Sequence, residues 1–181
     1  MTDPDTGPAA RAARMALTAG AVLLLVLMAA SALQVAATLI GWNPLAAWQR
    51  RVVLLGDAVT LNTLLDLQWH LLALIALLPA GLVWLRDGHV RVDFLYGAAR
   101  PRVRQGIDLL GNLIFAAPFL VMAIPGAVGF WGRAWRSGEG SANGGLNDLW
   151  LIKAVLPLGL ALLALAVVVE TVRLARALVR R

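Results

Sequence analysis

A chain of 181 residues in which 60% are hydrophobic and only 14% are charged is not a water-soluble domain, since soluble domains carry about a quarter charged residues. Its formal charge of +6 does not point to nucleic acid: the arginines gather at the ends of apolar segments instead of forming a stripe with interleaved aromatics, which fits a membrane surface better. The absence of cysteine excludes disulfides, thiolate metal sites and thiol nucleophiles.

Residues Met1–Ala13, MTDPDTGPAARAA, are polar and rich in Pro, Gly and Ala, and read as a disordered cytoplasmic tail ahead of one transmembrane domain over residues 14–181. Arg11 and Arg14 precede an apolar run from Met15 to Ile40. A secretory signal has an apolar core of only about 7–15 residues, so this longer run is the first transmembrane helix, residues 15–40. Gly41 and Asn43-Pro44 end it, with Trp42 and Trp48 suited to the headgroup level. Val52–Asp66 is apolar but broken by Gly56, Asp57, Asn62 and Asp66; an in-plane amphipathic helix and an outer extension of the second span remain alternatives.

The second span covers residues 67–85, with Trp69 and Trp84 roughly 22 Å apart along the axis at 1.5 Å per residue, one for each interface. Arg86–Asp108 is the long polar interruption between two apolar halves and carries Arg86, Arg91, Arg100, Arg102 and Arg104. A short loop that basic faces the cytoplasm. The third span, residues 107–131, is expected to start within that loop at Pro101, where a missing N–H costs nothing, and to bend at Pro118 and Pro125. Gly132–Asp148 is a Gly/Ser/Asn-rich outer loop, and residues 149–172 form the fourth span, with Lys153 snorkelling to the outer surface. With both termini inside, eleven of the sixteen basic residues fall on the inner side, so the expected fold is an all-α bundle of four transmembrane helices with a kinked third helix.

Few residues here suit chemistry. His70 and His89, the only histidines, lie at opposite ends of the second span and cannot sandwich one haem, so no cofactor is expected. Asp108 and Glu170 lie at the inner ends of their spans, within reach of Arg104 or Arg173, whereas an ion pathway places a carboxylate deeper. Ser31, Gln34 and Asn112 read as interhelical hydrogen-bonding groups, and Gly106, Gly111, Asn112, Ala116, Gly159 and Ala166 as positions of close helix approach. The alternating charges Arg86-Asp87 and Arg91-Val92-Asp93 around Gly88 make either a docking surface or elbow, or a solvated loop.

LNTLLDLQWHLLAL, RDGHVRVDFLY, PRVRQGIDLLGNLIFAAPF, GEGSANGGL and LIKAVLPLGLALL occur in an order that resembles the small, DctQ-like membrane subunit of TRAP (tripartite ATP-independent periplasmic) transporters over Leu61–Val172. The nearest resemblance is to the branch labelled for mannitol or chloroaromatic compounds. It implies a non-catalytic, four-span scaffold of the bacterial inner membrane that accompanies a large multi-span transport subunit. A periplasmic solute-binding protein would deliver an organic acid or related solute, with sodium driving uptake. Trp69, His70, Arg86, Asp87, His89, Arg91, Asp93, Asp108, Gly111, Asn112, Lys153 and Gly159 are then candidates for topology and partner interfaces, not for catalysis. The chain departs from the family at the end of its first helix, in its longer first outer loop, and at Asn147, where relatives tend to have proline. A self-sufficient small transporter and a stand-alone membrane enzyme are the competing readings.

Overall fold

In a computed structural model, residues 8–88 and 96–179 are described. Among them, four helices are long and apolar enough to cross a membrane: Arg14–Leu39, Leu61–Leu85, Pro101–Ser137 and Trp150–Val179. The protein is thus an all-α, four-span membrane protein. The chain divides into two compact units, one of Met1–Leu77 with Phe130–Leu156 and the other of Leu78–Gly129 with Pro157–Arg181.

In the first unit, helix α1 (Pro8–Leu39) starts at Pro8 and so takes in residues 8–13, which composition assigns to the tail. It ends in a Schellman arrangement, with Trp42 N–H bonded to Ala37 O, Gly41 N–H to Thr38 O, and Gly41 in the left-handed region at φ 68°. Ala30 and Ala37 are buried on α1, where small side chains let it pack along α2 (Leu61–Leu77). Gln68 Nε2 donates to Gln34 Oε1 at 2.5 Å between these helices. Ser31 does not reach across: its hydroxyl turns back to Leu27 O of its own helix.

Of the two alternatives for Val52–Asp66, the stretch between α1 and α2 excludes the in-plane helix. Strands β1 (Ala46–Val52) and β2 (Gly56–Val59) form an antiparallel hairpin. The chain reverses because Leu54 and Gly56 both adopt left-handed backbone, at φ 73° and 71°, which breaks any helix through Val52–Asp66. The rest of that stretch does extend the second span, since α2 begins at Leu61. Its start is fixed by a reciprocal cap: Thr60 Oγ1 accepts the Thr63 N–H and Thr63 Oγ1 accepts the Thr60 N–H. α2 stops before Pro79 and α3 (Ala80–Leu85) resumes after it.

In the second unit, α4 (Pro101–Gly111) places Pro101 in its first turn. A π-helical turn follows at Asn112–Ala116, closed by the Ala117 N–H on Asn112 O, and leads into α5 (Ala117–Ser137), which runs on into the first unit. Pro125 sits inside α5, and the irregularity lies just before Pro118, whose ring would otherwise meet the carbonyl four residues back. The fourth span is α6 (Trp150–Lys153), one interrupted residue, and α7 (Val155–Val179). Gly81 packs against the α7 backbone so closely that a Cβ there would stand 2.6 Å from Leu162 O.

Candidate functional site

The densest polar construction joins the first turns of α2 to the loop at residues 138–149. From α2 and its cap, Asn62 Nδ2 donates to Asn143 O at 2.6 Å, the Thr60 hydroxyl donates to Gly144 O at 3.3 Å, and Asp66 Oδ2 accepts the Leu146 N–H at 3.0 Å. Within the loop, Ser141 N–H bonds to Leu146 O at 2.8 Å and Leu149 N–H to Glu139 O at 2.9 Å. Leu146 is 1% exposed and anchors the loop by its side chain. Gly145 lies on the Asp66 carboxylate, and a Cβ there would also stand 2.9 Å from Asn62 O. The spacing of Asn62 and Asp66, one turn apart on one helix face, therefore matches the Gly144-Gly145-Leu146 backbone that it holds.

The hairpin joins the same construction. Asn147 N–H bonds to Leu54 O at 2.7 Å, Leu54 N–H to Asp148 Oδ2 at 3.4 Å, and Arg51 pairs with Asp148 at 3.3 Å. Trp48 Nε1 donates to Gly56 O across the hairpin at 2.9 Å.

Lys153 does not simply snorkel outward. Its Nζ contacts both carboxylate oxygens of Glu139 at 2.6 Å and lies 4.2 Å from the centre of the Phe130 ring. Its side chain is 18% exposed and that of Glu139 41%, so the pair is only partly screened by water. Trp135 stacks edge-on against Trp150 at 4.2 Å beside it. Lys153→Met removes the ion pair and the ring contact together, and should lower stability by about 1 kcal/mol. Lys153→Arg should recover most of it; thermal melts of the detergent-solubilised protein make the comparison.

Among the other sequence candidates, Trp69 is 65% exposed on α2 and His70 Nδ1–H donates to Asp66 O at 2.5 Å, a bond within the helix. Arg86 and Asp87 close the end of α3, Asp87 in the left-handed region at φ 56°. His89, Arg91 and Asp93 lie outside the described residues.

In the second unit a cleft of about 940 Å³ is lined by Trp84, Tyr96, Arg104, Asp108, Asn112 and Glu170 with apolar neighbours. Its polar groups engage one another: Tyr96 Oη donates to Asp108 at 2.6 Å, Arg173 pairs with Glu170 at 3.5 Å, and Asn112 Nδ2 donates to Thr171 Oγ1 at 3.1 Å. Arg104 turns back to Ala99 O and Gly97 O and lies over the Tyr96 ring. Asn112, 5% exposed, is thus an interhelical hydrogen-bonding group, and Gly159 is buried. A Cβ on Gly106 or Gly111 meets nothing within 4 Å among the described residues of this chain.

Asp66, Asn62, Thr60, Thr63, Gly145 and Asn147 build the site that joins α2 to the loop at residues 138–149, yet hydropathy marks them only as breaks in an apolar run or as members of a Gly/Ser/Asn-rich loop. Their one sequence signal is the pairing of LNTLLD with GEGSANGGL, two segments that meet in space. This arrangement positions backbone and excludes slack; it has no nucleophile set beside a base. A comparison with curated proteins finds no match. The profile of a protein family described as "Tripartite ATP-independent periplasmic transporters, DctQ component" matches residues 55–177.

Proposed function

The chain belongs to the DctQ family, the small membrane component of tripartite ATP-independent periplasmic transporters, and from that premise we propose that it is the non-catalytic scaffold of a sodium-coupled importer. It is a multi-pass membrane protein in a family of transport components, not of enzymes. In this reading the large subunit moves a small organic acid or related solute, while the four spans brace that subunit in the bacterial inner membrane. Both termini face the cytoplasm, as the excess of arginine on that side favours. The outer loops help the periplasmic binding protein to dock.

The observation that carries the docking role is the outer construction itself. The loop at residues 138–149 is Gly/Ser/Asn-rich and would be mobile by composition, yet it is held by Asn62, Asp66 and the hairpin. A loop fixed in advance does not lose conformational freedom when a partner seats on it. The third span leaves Phe115, Phe119, Val121 and Met122 uncovered, an apolar surface open to lipid or to the large subunit.

Affinity purification of the tagged chain from cells that also make the large subunit should recover the two together in detergent. Proteoliposomes holding this chain alone should take up none of the organic acids that the complete system imports. Uptake by the chain alone would overturn the reading in favour of a self-sufficient transporter.

A further inference from the structure

Strand β1 lies outside the matched stretch of residues 55–177. It adds little to packing: of its seven residues only Trp48 is half-buried, and Gln49, Arg50 and Arg51 are exposed. A two-stranded hairpin is marginal by itself in water, and this one has a break in register between Ala47 and Val52. Something must hold it, and the described contacts that do so converge on two adjacent residues of the opposite loop.

Asn147 gives its N–H to Leu54 O at 2.7 Å, and Asp148 accepts from the Leu54 N–H at 3.4 Å and from Arg51 at 3.3 Å. The Asn147 carboxamide lies directly on Gly56 of the hairpin, and a Cβ on Gly140 of the loop would stand 3.1 Å from its Oδ1. The carboxamide therefore fills the gap between the two elements. Leu54 holds left-handed backbone at φ 73°, which an aliphatic residue keeps only where contacts impose it; Asp148 is also left-handed, at φ 53°, a conformation that aspartate tolerates. A proline at position 147 has no N–H to give.

We infer that Asn147 and Asp148 are positioning residues that latch the hairpin β1–β2 to the loop at residues 138–149, so that both present one fixed ledge to the soluble binding protein. This rests on the docking role proposed above. An unlatched hairpin would have to be ordered each time the partner seats, at a cost in conformational entropy for every residue fixed. The latch moves that cost into folding.

The test uses the complex of small and large subunits in nanodiscs, titrated with the binding protein of the same system carrying the solute with which it purifies. Asp148→Gly removes the carboxylate without adding backbone strain, and should raise the dissociation constant about five-fold or more while leaving the binding plateau unchanged. Asp148→Asn keeps an acceptor for the Leu54 N–H and should recover much of the affinity, which a general loss of folded protein would not do. Arg51→Ala, at an exposed side chain, repeats the test from the hairpin side should Asp148→Gly not assemble. Ala142→Arg and Arg50→Glu alter the exposed surface and leave the latch in place. If these two weaken binding while the latch variants leave it unchanged, the latch inference is overturned and the docking role stands. If none of the variants changes binding, both are overturned.

Discussion

Gly81→Leu is expected to destabilise the protein strongly. A Cβ at that position stands 2.6 Å from Leu162 O and 3.0 Å from Leu162 C, and a backbone carbonyl cannot step aside as a flexible side chain can. Overpacking of this kind costs about 1–3 kcal/mol even where side chains can shift, and the rest of the leucine must also be housed. By contrast, Asn112→Leu removes one hydrogen bond between spans, to Thr171 Oγ1, and such bonds average about 0.6 kcal/mol. A thermal melt in detergent should show Gly81→Leu lowered by about 5 °C or more. Gly111→Leu, at a position where a Cβ meets nothing within 4 Å, should stay close to the parent. Equal melting of Gly81→Leu and the parent would mean that this helix approach does not support the fold.

The second large effect is expected at Asp66. Its carboxylate accepts the Leu146 N–H in the loop at residues 138–149, where Leu146 is almost wholly buried. A hydrogen bond to a charged group contributes about 1.5–3 kcal/mol, and Asp66→Ala leaves the Leu146 N–H without that acceptor. Loss of about 2 kcal/mol from local stability should speed hydrogen exchange at the Leu146 amide about thirty-fold, with little change at amides in the spans. Gly145→Ala should act in the same direction, since its methyl group collides with the Asp66 carboxylate. Unchanged exchange at Leu146 in Asp66→Ala would show that the loop is held by its other contacts.

These two sites differ in how far the residues reveal them. The four spans are legible because apolar runs of that length have few alternatives, and Pro101 and Gly41 mark ends that the backbone respects. The hairpin is not legible. VVLLGDAV lacks the Asn-Gly or Asp-Gly signature of a tight turn, and the reversal depends on Leu54 in a conformation that its side chain disfavours. The contacts that impose it come from Asn147 and Asp148, more than ninety positions away. Lys153 shows the same limit on a smaller scale. Its place near the start of a span suggests a side chain reaching for water, and only the loop that returns Glu139 to it turns it into half of an ion pair. Asp66 stands between these cases: its charge is visible as an interruption, but its purpose lies in the Leu146 N–H eighty residues later.

The π-helical turn at Asn112–Ala116 has one further consequence, for which side chain the third span shows to its neighbours. Beyond the turn the buried positions Leu120, Ala127 and Ala134 recur every seventh residue. Counting back one more step in that rhythm would reach Leu113, yet Leu113 is 53% exposed and Asn112 is buried instead. The wider turn adds one residue to the winding, and so advances the N-terminal end of the helix by one place relative to the heptad frame. An apolar residue is thereby exchanged for the amide that meets Thr171. The span is best regarded as two reading frames of one helix, joined where Pro118 makes a regular turn hardest to build.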